Sequence, residues 1–393
     1  MDCSSVLITS AGAARYDLGD GHPMRAVRST LSIDLATELG VLTRPGWWRR
    51  EAEMATPGQL QMVHTETYVA MVQRADDLPA HLLAHLGLGT EDTPVFPGMH
   101  EAAASVVGAT LAAVASVWAG EADHAVNLAG GLHHAMPGHA SGFCVYNDAA
   151  VGIAALLASG AQRVAYVDLD AHHGDGVEAC FADDPRVLTV SLHQDGRTLF
   201  PGSGAAADVG GPNARGTAIN VALPPGTGDV GWLRAFHAIV PAVLRSFRPD
   251  VIVTQCGCDA HVNDPLTDLE VTVEGFTIAY TALHELAHEL CEGRWIVLGG
   301  GGYDLGDAVP RAWAQLLAVC SGGALPNGSV LPEQWRKESA TIVGRPAPRR
   351  LGDGLEPTWR VWPVDHDPEH PLDLAVADTH AAVQEFHPVM GED

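Results

Sequence analysis

Short continuous runs of aliphatic and β-branched residues recur along the chain, with longer stretches of helical periodicity between them. That is the pattern of strands buried on both faces and joined by crossover helices. The clearest runs predict strands over 125–128, 163–169, 187–192, 251–255 and 295–298, and helices over 101–119, 149–158, 231–247 and 273–292. Strands alternating with helices predict an α/β fold, a single three-layer domain with a central, mostly parallel sheet and helices on both faces. From about Pro326 the periodicity weakens. Prolines, mixed charges and Trp335, Trp359 and Trp362 read as an irregular C-terminal tail, 326–393, after a body of 1–325. The tryptophans predict that the tail packs on the body, since disordered segments are poor in aromatics.

Reactive residues gather where the predicted strands end. The run 125–128 is followed by Ala129-Gly-Gly-Leu-His133-His134-Ala135, and 163–169 leads into Asp168-Leu-Asp170-Ala-His172-His173-Gly-Asp175-Gly176. After Gln255 comes Cys256-Gly-Cys258-Asp259-Ala-His261, and after Leu298 come the glycines 299–302, then Tyr303 and Asp304. In open α/β sheets the binding crevice lies at the carboxyl ends of the strands, so these segments are expected to converge. Asp170 and His172, two apart on an extended strand end, would face one side and share an ion, with Asp259 as a third donor from a neighbouring strand. One imidazole, two carboxylates and no thiolate leave a coordination position open, as a catalytic metal requires. Zinc is the expected metal, and the same donors accept ferrous iron. His133 and His134 read as proton-transfer groups, because adjacent side chains rarely aim at one ion. Asp168 and Asp175 are the carboxylates available to orient them. The glycine run lacks the Lys-Ser/Thr of a phosphate loop and the spacing of a dinucleotide fingerprint. Tyr303 after it could place a hydroxyl where a carbonyl oxygen gains negative charge.

Composition narrows the partners. Lys plus Arg total 22 against 48 Asp plus Glu in 393 residues, a formal net charge of -26, so the field repels nucleic acid and attracts cations. Lys337 is the single lysine, and with abundant Ala and Gly this fits a GC-rich coding sequence better than a functional device. Seven cysteines (Cys3, Cys144, Cys180, Cys256, Cys258, Cys291 and Cys320) show neither paired nor zinc-ribbon spacing, which points to a reducing cytoplasm. Cys256 and Cys258 read as small buried hydrophobes. Met1 to Arg15 lacks a basic region followed by an apolar stretch, and no apolar run approaches the roughly 20 residues of a membrane helix. Neither export nor membrane insertion is expected.

The motifs Gly131-Leu-His-His-Ala135, Gly142-Phe-Cys-Val-Tyr-Asn-Asp148, Asp168-Leu-Asp-Ala-His-His-Gly-Asp-Gly176, Ser191-Leu-His193 and Gly299-Gly-Gly-Gly-Tyr303, in this order, resemble the arginase/deacetylase superfamily. Within it they are most similar to the zinc histone deacetylases and their bacterial acetoin-utilisation relatives. The likeness runs from Gly21-His-Pro23 to near Ala318 and leaves the tail outside. It implies the arginase/deacetylase fold and hydrolysis of Nε-acetyl-lysine in proteins. Zinc would be held by Asp170, His172 and Asp259, with His134 as general base and acid on Asp175 and His133 paired with Asp168. Tyr303 would polarise the acetyl carbonyl. Phe143 and Phe200 match the aromatic walls of an acyl-lysine tunnel, and Asp92 matches a rim carboxylate that grips the substrate backbone. Gly142, Gly301 and Leu266 fall among substrate-facing positions. A potassium ion is implied near the zinc, on oxygens of Asp168, Asp170, His172, Ser191 and Leu192. Leu266 stands where polyamine-selective relatives carry an acidic gatekeeper, which weighs against acetylpolyamines; these and other small acetylated amines are the alternative substrates. A fold that lost its chemistry is disfavoured, because every reactive motif position is filled. Arginase-like hydrolysis with two manganese ions would need a richer carboxylate cluster than 259–264 offers.

Overall fold

The computed structural model describes residues 3–388. Among the described residues there are eight strands: β1 (Ser5–Thr9), β2 (Trp47–Glu51), β3 (His124–Asn127), β4 (Val164–Asp168), β5 (Val187–Gln194), β6 (Ala218–Leu223), β7 (Val251–Gln255) and β8 (Trp295–Leu298). They form one sheet in the order β2-β1-β3-β8-β7-β4-β5-β6, with every neighbouring pair parallel. The five predicted strands are all in it. Of the three unpredicted ones, β2 and β6 are the sheet's edges; β2 reads Trp-Trp-Arg-Arg-Glu, whose charge suits an edge and hides it from a search for apolar runs.

Period-two alternation sends the central strands into two cores. Val126, Val167, Val190, Ile252 and Val297 pack with the helices Val27–Glu38, Asp229–Phe247, Val273–Cys291 and Ala308–Cys320. Ala125, Val164, Tyr166, Val253 and Ile296 pack with Met99–Trp118, Asp148–Ala158 and Asp175–Phe181 on the other face. The result is the three-layer α/β architecture of the arginase/deacetylase fold, with the sheet buried on both sides.

Two expectations are corrected. Met99–Trp118 is in fact long and apolar enough to cross a membrane, but 72% of its most apolar window is buried inside the protein, as in a core helix. The tail is not irregular throughout: it contains the helices Glu333–Val343 and Pro371–Val383. The first has only Trp335 and Ser339 buried, too few apolar positions to raise a periodic signal. Trp335 is buried, and its Nε1 donates to the Leu31 carbonyl at 2.9 Å. The second helix is clamped by Asp373, which accepts from Arg234 Nε at 2.9 Å. No disulfide forms among the described residues.

Candidate active site

The strands β3, β8, β7 and β4 are contiguous in the sheet, so the loops at their carboxyl ends meet. β4 stops at Asp168, and Asp170 and His172 therefore stand on the following loop, not on extended strand as expected. A tight turn replaces strand alternation: Asp170 Oδ1 accepts the His172 backbone N–H and faces its Nδ1, both at 3.0 Å. From the end of β7, Asp259 Oδ2 reaches the same nitrogen at 2.9 Å. All three residues are buried, and their donor atoms lie within 4.8 Å of one another. The remaining oxygens are already bonded. Asp170 Oδ2 accepts from Gln255 Nε2 and the Gly301 N–H, each at 2.6 Å, and Asp259 Oδ1 accepts the Ala171 N–H at 2.7 Å.

Each carboxylate thus keeps one oxygen aimed at a shared point, and among the described residues neither is paired with arginine or lysine. Burial alone would lower the pKa of His172, but the two carboxylates outweigh it and push it up to about 10, so the pocket stabilises positive charge. A Cβ at Gly301 would lie 2.1 Å from Asp259 Oδ2 and 2.6 Å from Asp170 Oδ2, so a side chain there would close the donors off. Two carboxylate oxygens and one imidazole nitrogen fit zinc or ferrous iron.

The tandem histidines come from the loop after β3. His133 Nδ1 is 2.7 Å from Asp168 Oδ2, which also accepts the Tyr166 hydroxyl at 2.7 Å. His134 Nδ1 is 2.7 Å from Asp175 Oδ1, and the two Nε2 atoms are 3.0 Å apart. The neighbouring charges separate the rings. Burial opposes protonation of both, yet Asp168 and Asp170 raise His133 to about 9, whereas burial and the cationic His133 lower His134 to about 4. At neutral pH His133 donates from both nitrogens, and His134 keeps an acceptor lone pair on Nε2 while its Nδ1–H points at Asp175. Local structure holds this loop. Asn147 caps the helix Asp148–Ala158 by accepting the Ala150 N–H, and its amide donates to the carbonyls of His133 and Ala135 at 3.1 and 3.0 Å. Asp148 accepts the Gly131 and Leu132 N–H groups at 3.0 and 2.8 Å.

Tyr303 follows the glycine run after β8. Its N–H donates to Asp264 Oδ2 at 2.8 Å, and its ring meets Phe143 edge-on at 5.7 Å. Burial and the charges of Asp259 and Asp170 hold its phenol well above the usual tyrosine range, so it remains a donor. Phe200 lies edge-on to His134 at 5.0 Å. Between the two phenylalanines, Gly142 has φ 51°, and a Cβ there would come within 2.3 Å of the His134 ring and 2.9 Å of Phe200. Asp92 at the rim accepts the Gly142 N–H at 2.9 Å. Leu266 is exposed beyond Asp264, and Ser191 is the register partner of Asp168 across β4 and β5. Gln255, Asp264, Tyr166 and Arg28, whose Nη1 donates to the Gly302 carbonyl at 3.2 Å, were not anticipated as site residues. Gln255 carried a signal, being a polar residue closing an otherwise apolar strand.

The histone deacetylase domain model matches residues 22–320 of this chain. The chain belongs to the histone deacetylase family. Over 338 residues, 84% of this chain and 85% of the relative, it is 43% identical to the acetoin utilization protein AcuC of Bacillus subtilis (strain 168). AcuC of Staphylococcus xylosus is 36% identical over 323 residues, 82% and 83% of the two chains. AcuC of Staphylococcus aureus (strain MSSA476) is 35% identical over 344 residues, 87% of each. The protein is thus a deacetylase, a hydrolase close to the bacterial acetoin-utilisation branch of a zinc-dependent family, and its substrate is acetylated.

Proposed function

We propose that this histone deacetylase relative hydrolyses the Nε-acetyl-lysine amide in proteins. The observation that carries the reading is the pairing of two functions at the carboxyl ends of the contiguous strands β3, β8, β7 and β4. Asp170, His172 and Asp259 offer three metal donors, and beside them His133 and His134 each rest on a carboxylate of their own.

Zinc held by Asp170, His172 and Asp259 would supply a Lewis acid for the acetyl carbonyl and lower the pKa of water. The chain's own groups divide the remaining work. Neutral His134 takes the proton of the attacking water on Nε2 and returns it to the departing amine nitrogen, with Asp175 fixing its tautomer. His133, held cationic by Asp168, stabilises negative charge as it develops. The Tyr303 hydroxyl donates to the same carbonyl oxygen. Phe143 and Phe200 wall the approach, Gly142 leaves it open, and Asp92 at the rim is placed to accept from a substrate backbone amide. A potassium ion on Asp168, Asp170, His172, Ser191 and Leu192 would belong to the same reading.

Small acetylated amines are the second reading, and the charge of -26 favours cationic substrates under either. Leu266, exposed and apolar at the rim, offers a distant ammonium no counter-charge, which favours the peptide. The deciding experiment compares kcat/KM for an acetyl-lysine peptide with acetylspermidine and acetylputrescine on zinc-loaded enzyme, beside Tyr303→Phe and a hydroxamate control. The expected result is a preference for the peptide, inhibition by hydroxamate and a loss of about 10²–10³-fold in kcat for Tyr303→Phe. A large preference for the polyamines would overturn the choice of substrate, and an undiminished Tyr303→Phe would overturn the mechanism.

A further inference from the structure

At the opposite, amino-terminal end of the sheet lies a second cluster, unrelated to the crevice. His124 is the first residue of β3, His284 and His288 are one turn apart on the helix Val273–Cys291, and Cys3 lies just before β1. The His284 and His288 rings are 4.7 Å apart, and each lies about 5 Å from His124, at 4.9 and 5.1 Å. Cys3 Sγ is 3.9 Å from His284 Nε2 and reaches the Cys320 carbonyl at 3.4 Å. One donor atom from each of the four residues lies within 4.8 Å of the others.

A second observation points to a ligand. His124 is fully buried and its Nδ1 donates to the Gly293 carbonyl at 3.0 Å, which leaves the lone pair on Nε2. That Nε2 is buried without a hydrogen-bond partner, and so is Nε2 of His288. Buried nitrogens are rarely orphaned. An imidazole with one nitrogen anchored to a backbone carbonyl and the other buried, unpartnered and set among two further histidines and a thiol has the outer support typical of a metal ligand.

We propose that Cys3, His124, His284 and His288 form a second, structural metal site for zinc. One thiolate and three imidazoles make a closed four-ligand set of the soft and borderline donors zinc prefers, with no open position for catalysis. A tetrahedral zinc sphere sets such donors roughly 3.3–3.6 Å apart, so donors now within 4.8 Å of one another close by at most about 1.5 Å through side-chain rotation. Binding breaks the Cys3 S–H bond and forms a zinc–sulfur bond, with the proton released to solvent. The ion would tie the chain entering β1 to β3 and to the helix Val273–Cys291.

The test uses the full chain, loaded with zinc for stoichiometry by mass spectrometry and with cobalt(II) for absorption. Asp170, His172 and Asp259 contain no thiolate, so a thiolate-to-cobalt charge-transfer band reports the second site alone. The expected result is two metal ions per chain and a charge-transfer band in the wild type. Cys3→Ser should lose the band and one ion while retaining its turnover of acetyl-lysine peptide, and Asp259→Asn should keep the band. One ion per chain with no band, or a band that survives Cys3→Ser, would overturn the proposal. The wild-type spectrum and stoichiometry decide even if a variant fails to fold, and His288→Gln supplies a second variant that leaves the thiol intact.

Discussion

Asp170 and Asp259 at the carboxyl end of the sheet and Asp373 in the C-terminal tail are all buried aspartates, but they meet opposite partners. In the crevice the acids are satisfied by backbone N–H groups, the Gln255 amide and one imidazole. In the tail Asp373 is clamped by Arg234, whose Nη1 also donates to the Arg360 and Val364 carbonyls, both at 2.9 Å. A guanidinium neutralises a carboxylate permanently. Backbone and amide donors hold it in place, and the imidazole, unlike a guanidinium, can give up its proton to make way for a metal. Buried acid alone therefore does not mark a site; the identity of its partner does.

The largest effect should come from breaking the proton path on the crevice side. His134→Ala removes the acceptor lone pair but none of the metal donors. We expect kcat on acetyl-lysine peptide to fall by about 10²–10⁴-fold while zinc content stays at the wild-type level. Turnover within a fewfold of wild type would show that His133, not His134, moves the proton.

Breaking the tail pair should move stability and leave chemistry alone. Arg234→Met strands Asp373 in a buried position and removes a donor from two carbonyls, at a cost of about 3–5 kcal/mol. Urea unfolding would read the loss, with kcat/KM of the folded enzyme unchanged. Adding Asp373→Leu should recover part of that stability, because a matched apolar pair no longer buries a lone charge. If Arg234→Met instead abolished turnover in a stable protein, the contrast between the two regions would collapse.

The same distinction governs what could be read in advance. Four reactive segments stood at the ends of apolar runs, and the parallel topology brings them together, so convergence of His133, His134, Asp168, Asp170, Asp175, Asp259 and Tyr303 was legible without coordinates. Convergence on the loop after β4 was not. Asp170 and His172 meet through a turn whose hydrogen bonds depend on where the strand stops, and period-two reasoning placed them on extended chain. Supporting groups such as Asp264 and Arg28 gave no sign of their place in the site, because the backbone atoms that tie them to it, the Tyr303 N–H and the Gly302 carbonyl, are remote in sequence. The tail helices escaped for a related reason: their buried faces are narrow, and contacts with remote residues hold them, Trp335 on the Leu31 carbonyl and Asp373 on Arg234. The Cys3 and His124 cluster draws on residues as far apart as 3 and 288, and no spacing rule reaches that far.

A histidine that supports the site without entering it should show its own pH dependence. His64 is buried, its Nδ1 donates to the Met136 carbonyl at 3.1 Å and its Nε2 accepts the Asn147 N–H at 3.0 Å, and the second bond requires the neutral ring. Burial lowers its pKa to about 4. The unfolded chain takes up this proton near pH 6.5, before the folded one does. Stability from this group is complete above 6.5 and is lost as pH falls towards 4, by up to about 3 kcal/mol. Urea midpoints at pH 7 and 4.5 should diverge more for wild type than for His64→Gln, and equal divergence would exclude His64 as the source. Asn147 also holds the His133 and Ala135 carbonyls, so protonation of His64 loosens the tandem-histidine loop.

The smallest effect is expected at the rim, where it bears on substrate choice. Asp92 is exposed, and its carboxylate already accepts the Gly142 N–H, so removing it costs the fold little. A peptide substrate would add a backbone N–H to that carboxylate, an interaction of about 1 kcal/mol once solvent competition is counted. Asp92→Ala should therefore raise KM for an acetyl-lysine peptide about fivefold with little change in kcat. Acetylputrescine has no peptide backbone at that distance, and its kinetics should not move. Equal losses on both substrates would mean that Asp92 works through Gly142 and the Phe143 wall, making the rim carboxylate a positioning residue for the tunnel instead of a grip on the peptide.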